Sequence, residues 1–138
     1  MKTLRLNSTF FTLGILLSLS QFNCKKDPLV LDYINVRGYV IAKETCNTDE
    51  NLDYWLIDLT MDPNTPQYGT AIVINGIPYS NVVKTKLLAT ELKSLGKTVF
   101  FHFKTTSSIP VITTGCIVTA PVTYSVKEIN ILEQGEAL

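Results

Sequence analysis

The stretch "VVKTKLLATELKSLGKTVFFHFK", residues 82–104, decides the fold because two hydrophobic periods meet in it. In its first part, valines and leucines recur at intervals of three and four, and Gly96 stands where a helix would be capped. In its second part, apolar residues alternate with others, which is the period of a strand. We therefore predict one helix over residues 82–96, followed directly by a strand over residues 97–104.

Three strands are predicted before this helix. They cover residues 34–43, 54–60 and 68–74. The second has an inward face made of Trp55, Ile57 and Leu59. The third ends at Asn75-Gly76, a strong hairpin signal, although Pro78 limits the returning piece to a short edge strand.

After the helix and its following strand, a long loop contains Cys116. A last strand is predicted over residues 122–132, and the tail over residues 133–138 is expected to fray. Three strands, one helix and two strands is the order of an OB-fold, a small five-stranded Greek-key barrel. The sequence thus predicts a mainly β domain over residues 34–132, an OB-like barrel with its one helix between strands three and four.

The first 23 residues have the pattern of a targeting segment. Lys2 and Arg5 precede an apolar run over residues 10–19. This run is too short to cross a bilayer, which takes about 20 apolar residues. Cys24 and "KKDP" follow closely. The segment resembles a bacterial lipoprotein signal, and the resemblance implies cleavage before Cys24 and attachment of a lipid to its thiol.

This resemblance divides the N-terminal part into a signal peptide over residues 1–23 and a tether over residues 24–33. Gln21 and Asn23 stand where such signals usually carry small residues. The alternative is ordinary cleavage after Ser20, which would release a soluble protein.

The number of cysteines supports the lipid attachment. Three is an odd number, whereas exported domains usually pair their cysteines. If Cys24 carries a lipid, Cys46 and Cys116 remain as one pair, and we predict a disulfide between them. The alternative is two buried free thiols. The spacing contains no CxxC or CxxH, which argues against zinc.

Three segments together carry a second resemblance. They are "WLIDL" at residues 55–59, "ELKSLGKTVFFHFK" at residues 91–104 and "EINIL" at residues 128–132. With the two cysteines that precede the first and the last of them, they resemble small OB-like lipoproteins of Bacteroidota and similar diderm bacteria. This resemblance implies a compact barrel with one disulfide between the end of strand one and the loop before strand five, and it implies no activity.

Charge argues against nucleic acid as a partner. The chain has 12 basic and 12 acidic residues, and removal of Lys2 and Arg5 with the signal leaves 12 − 2 = 10 basic residues and a net charge of −2. Nucleic-acid binding needs a clustered basic face, and the sequence has no basic block. Glycine-rich phosphate loops are absent as well, so we expect no cofactor.

Catalytic and metal chemistry also lack a basis in the sequence. The one histidine, His102, lies between two phenylalanines of a predicted strand, and no GxSxG elbow supplies a nucleophile. Asp49, Asn51 and Asp53 have the spacing that opens a calcium loop. That loop also needs glycine and glutamate at positions where this chain has Tyr54 and Thr60, so we predict no enzyme and no metal site.

A binding face is predicted on the outward side of strands one to three. It consists of Arg37, Tyr39, Tyr54, Leu56 and Asp58. Such a mixed, aromatic surface suits a protein edge or a glycan. We expect a non-enzymatic binding or assembly module, anchored by lipid to the bacterial envelope, most simply at the outer membrane. The alternatives are a secreted or anchored inhibitor or accessory subunit of another envelope protein and, third, a small hydrolase.

Overall fold

The computed structural model describes residues 32–61, 63, 65 and 67–137. This part of the chain is mainly β, with six strands in one sheet and two single-turn 3₁₀ helices. The strands are β1 Asp32–Lys43, β2 Trp55–Asp58, β3 Thr70–Ile74, β4 Ile77–Thr85, β5 Thr98–Thr105 and β6 Lys127–Glu136. The 3₁₀ helices are Glu50–Leu52 and Thr90–Leu92.

The strands pair in the order β2-β1-β5-β6-β4-β3, and β2 also pairs with β4. Only β4 and β6 pair in parallel among these contacts; the others are antiparallel. The pairings of five strands therefore return to their starting point, from β1 through β5, β6, β4 and β2 back to β1. The remaining strand, β3, is attached as a hairpin to the first half of β4.

The main core lies inside this circuit of strands. The inward faces predicted for β2 and β5 are confirmed, because their apolar residues all belong to one buried cluster. These residues are Trp55, Ile57 and Leu59 from the β2 region and Val99, Phe101 and Phe103 from β5. Burial of each such side chain stabilises the fold by about 1.5–3 kcal/mol.

Strand β1 pairs with two strands, and the two pairings overlap next to Gly38. The residues from Asp32 to Tyr39 pair with β5, and those from Tyr39 to Lys43 pair with β2. A Cβ atom at Gly38 would lie 2.6 Å from Cγ2 of Ile57 and 2.8 Å from the carbonyl oxygen of Asp58. Glycine is therefore required here, because β2 approaches the β1 backbone too closely for any side chain.

The predicted helix over residues 82–96 is wrong. Its first four residues form the end of β4, and only Thr90–Leu92 make a helical turn. Val82 and Val83 are both fully buried although they point to opposite sides of the strand. A strand buried on both faces has a continuous apolar run, so the periodicity could not separate it from a buried helix.

The predicted hairpin is confirmed, but the predicted short edge piece after it is wrong. Asn75 and Gly76 both have positive φ, 51° and 82°, as a tight hairpin turn requires. Strand β4 continues for nine residues through Pro78. Within the described part of the chain, Pro78 lies where β4 pairs with β3 alone, and proline is tolerated in such edge positions. The sheet therefore has six strands rather than five.

Strand β6 extends into the predicted tail as far as Glu136. Residues 133–136 pair with β5, and the Ala137 N–H donates to the Thr98 carbonyl at 3.1 Å. The last strand begins at Lys127 rather than Val122. The signal peptide, Cys24 and the tether up to residue 31 lie outside the described residues.

Candidate functional site

The predicted binding face does not form one surface. Arg37 and Tyr39 are exposed on β1 and Tyr54 is half-buried, but Leu56 is fully buried and Asp58 is only 7% exposed. A second apolar cluster covers the outward side of β2. Besides Leu56 it contains Ala42, Ile74, Val82 and Val126. Since the hairpin and the segment after β5 contribute to this cluster, the outward side of β2 is interior.

A buried ion pair lies beside Leu56. Lys84 is the direct partner of Leu56 in the β2–β4 register, so the two side chains share one face of the sheet. The Lys84 Nζ donates to Glu44 Oε1 at 3.0 Å, and both side chains are 0% exposed. It also donates to Thr113 Oγ1 at 2.8 Å and to the Tyr124 carbonyl at 3.0 Å. All three ammonium hydrogens are therefore bonded.

The Glu44 carboxylate is bonded on both oxygens. Its Oε1 also accepts the Tyr124 N–H at 3.0 Å, and its Oε2 accepts the Thr113 hydroxyl. Thr113 and Tyr124 belong to residues 106–126, which we call the covering segment. A buried charge is tolerated only when it is paired and hydrogen-bonded. Because Thr113 and Tyr124 supply part of these hydrogen bonds, the ion pair holds the covering segment on the sheet.

The predicted disulfide is confirmed and attaches the same covering segment. Cys46 and Cys116 are bonded, which joins the residues after β1 to the middle of the segment. Backbone hydrogen bonds reinforce this attachment, with the Ile117 N–H donating to the Cys46 carbonyl at 2.9 Å. Thr45 and Val122 exchange two further bonds at 2.9 and 3.1 Å. The segment predicted as a loop is thus fixed to the sheet along its length.

Tyr54 lies at the border of this network. The Nζ atoms of Lys84 and Lys86 are each 4.7 Å from the centre of its ring, and its hydroxyl donates to Glu128 Oε1 at 2.9 Å. Burial raises the pKa of Tyr54 to about 12, with further contributions from the hydrogen bond to Glu128 and the charges of Glu128 and Glu44. Tyr54 is therefore a neutral donor at any ordinary pH.

Stability should fall as the pH rises from about 10 to about 12, because the pKa of Tyr54 is higher in the folded than in the unfolded chain. Its contribution is complete below the unfolded pKa and is lost as the pH rises through the folded pKa. Urea unfolding at about pH 9 and about pH 11.5 measures this loss. Tyr54→Phe is the control, since lysines titrate in both proteins; equal pH dependence in the two would contradict the assignment.

A groove of about 290 Å³ lies next to Tyr54. It is lined by Lys86, Leu87, Thr106, Glu128, Ile129 and Asn130. A second, wider groove of about 550 Å³ is lined by Asp58, Thr60, Ala71, Pro78, Tyr79 and Ser80. The Asp58 carboxylate there accepts the N–H and the hydroxyl of Thr60. Both linings can hydrogen-bond a polar group, and neither set of residues includes a cysteine or histidine.

His102 lies on the outer side of β5 between two polar side chains. Its Nε2 is 3.2 Å from Asn35 Oδ1, and its Nδ1 is 3.3 Å from Glu133 Oε2. Phe100 lies on the same side and is the direct partner of Arg37 in the β1–β5 register. The exposed part of the predicted face, Arg37 and Tyr39, therefore continues onto β5 rather than onto β2.

The acidic loop before β2 uses its carboxylates to shape the turn. Asp53 Oδ1 accepts the N–H groups of Cys46 and Asn47 at 3.0 and 2.9 Å. Asp49 accepts the Asn51 N–H at 2.9 Å. Among the residues that the structure describes, no group of three or more histidine, cysteine, aspartate or glutamate side chains is arranged to hold a metal.

Sequence reasoning missed the pair of Lys84 and Glu44. The predicted helix left Lys84 among its polar positions, and nothing marked Glu44 in "AKETC" as buried. The available signal was a single lysine within the β-branched run "VVKT", which fits a strand better than a helix.

Comparison of this chain with protein-family models, with curated proteins and with solved structures found no match. In the described part of the chain, no helix has the length and apolar character needed to cross a bilayer.

Proposed function

We propose that this chain is a lipid-anchored protein of the bacterial envelope that acts as a non-enzymatic binding or assembly module. The observation that carries the proposal is the bond between Cys46 and Cys116. It leaves Cys24, the third cysteine, directly after the targeting pattern. A free thiol in an oxidising compartment would pair or oxidise, whereas an acylated Cys24 avoids both outcomes.

The proposal includes an OB-like barrel as the fold. Its support is the circuit of pairings among β1, β5, β6, β4 and β2, which gives five strands without a free edge between them. Strand β3 is then an addition to the hairpin. Leu88 and Leu92, between β4 and β5, enter the main core in the place of the usual helix.

The binding face that we propose is the outer side of β1 and β5. Arg37, Tyr39 and Phe100 lie there, and tyrosine, phenylalanine and arginine are enriched in protein interfaces. The partner would be an envelope protein or a glycan. The hydrogen bonds of the polar side chains support a role without catalysis. Lys84 and Glu44 bond to each other and to the covering segment. Both ring nitrogens of His102 also have partners.

Intact-mass analysis of the protein extracted from membranes tests the anchor. We expect a chain that starts at Cys24 and carries acyl groups, because the targeting pattern ends there. Cys24→Ser is the matched control and should lose both the added mass and the membrane fraction. An unmodified chain that starts near Gln21 would show the protein to be released instead.

A further inference from the structure

The tether sets which part of the domain is held near the membrane. Strand β1 begins at Asp32, eight residues after Cys24. Eight residues span at most about 29 Å when fully extended. Asp32 pairs with Lys104, near the end of β5. A lipid on Cys24 therefore keeps the end of β5 and its surroundings within this distance of the bilayer.

Exposed apolar side chains lie at this place. Thr106, directly after β5, lines the same groove as Lys86 and Leu87. The side chain of Leu87 is 52% exposed, and Ile109, three residues after Thr106, is 68% exposed. Large aliphatic side chains are thus presented to solvent near the end of β5, the strand whose Lys104 pairs with Asp32.

Three lysines lie in the same part of the sheet. Lys86 borders the groove, and Lys104 belongs to the end of β5. The Lys127 Nζ lies 4.9 Å from the centre of the Tyr68 ring, whose hydroxyl donates to the Ser107 carbonyl at 2.6 Å. These contacts bring Lys127 next to the first residues of the covering segment. The nearby Glu128 carboxylate accepts the Tyr54 hydroxyl.

We propose that this surface docks on an anionic lipid bilayer, an inference that rests on the proposed anchor at Cys24. We call it the bilayer surface; it consists of Lys86, Leu87, Lys104, Ile109 and Lys127. Lysines attract anionic headgroups, and aliphatic side chains enter the boundary between headgroups and acyl chains. The opposite end of β5, near Thr98, lies about 20 Å further from the tether at about 3.3 Å per residue.

Quenching by brominated lipids tests this orientation. The acylated protein, which starts at Cys24, is reconstituted in vesicles of phosphatidylethanolamine and brominated phosphatidylglycerol, and Ile109→Trp is compared with Leu95→Trp. Leu95 is the matched control, because it is 65% exposed and precedes the other end of β5. The natural Trp55 is 7% exposed in the core and gives the same background in both variants.

We expect the emission added by I109W to fall at least about two-fold on brominated lipid and that of L95W to stay unchanged. Lys86→Gln and Lys127→Gln should each lower the ratio of docked to undocked anchored protein about five-fold. One lysine near an anionic surface contributes about 1 kcal/mol. Lys93→Gln, at the other end, should have no effect.

Two other outcomes would contradict the proposal. Equal quenching of the two tryptophan variants, in protein whose mass shows the acyl group, overturns the orientation and leaves the anchor intact. A mass without the acyl group overturns the anchor and the bilayer surface with it. Both variants change exposed side chains, and their circular dichroism should match that of the parent protein.

Discussion

Replacing Lys84 with methionine should lower the free energy of unfolding by about 3–5 kcal/mol. The variant keeps the length of the side chain but leaves the Glu44 carboxylate buried without its cation. Thr113 and the Tyr124 N–H would still donate to it, but a fully buried charge without a counter-charge is costly. Urea unfolding followed by circular dichroism measures the change.

Two variants separate this effect from a general loss of lysine. Lys43→Met removes an ion pair with Glu50 in which the glutamate is 72% exposed, and it should cost about 0–1 kcal/mol. The double variant Lys84→Met with Glu44→Leu should recover part of the loss, because neither charge then remains buried. A Lys84→Met cost no larger than that of Lys43→Met would show that the buried pair is not needed for stability.

Removing the disulfide should have an effect of similar size. The bonded cysteines are 70 residues apart, and closing a loop of that length stabilises a fold by roughly 4 kcal/mol in the chain-entropy model. We expect reduction, or Cys46→Ala together with Cys116→Ala, to lower the melting temperature by about 15 °C. Thermal unfolding with and without reductant measures this shift.

Cys24→Ser is the control for the reduction experiment. Its melting temperature should fall with reductant as much as that of the parent protein, since Cys24 is not part of the bridge. If neither protein responds to the reductant, the bridge contributes nothing to stability.

Local signals in the sequence predicted the parts of the fold that depend on near neighbours. Alternation placed Trp55 and Phe101 in the main core, and Asn75-Gly76 marked a hairpin whose two residues both have positive φ. The pairing of Cys46 with Cys116 followed from the number of cysteines. Each of these predictions needed only the residue types in a short window or a count.

The segments that cover the outward side of β2 could not be predicted from local signals. The alternation of Leu56 with Ile57 predicts an exposed position for Leu56, and this prediction assumes that one face of the strand meets solvent. The hairpin and the covering segment lie on that side, and their contacts join residues far apart in sequence, such as Glu44 and Tyr124. The predicted binding face was therefore wrong at Leu56 and Asp58, and the helix over residues 82–96 failed for the same reason.

The place of β6 in the circuit has a consequence for the order of assembly. It joins β5 to β4, and it comes after the other five strands in the chain. In a protein that is exported from its N-terminus, as proposed, the end of β1 can pair with β2 early, but its first part has to wait for β5. The circuit cannot close until β6 has crossed the membrane. Contacts at such sequence distances form slowly. Cys116 crosses before β6 does, so oxidation of the two thiols can precede folding and hold an unfinished sheet together until its last strand arrives.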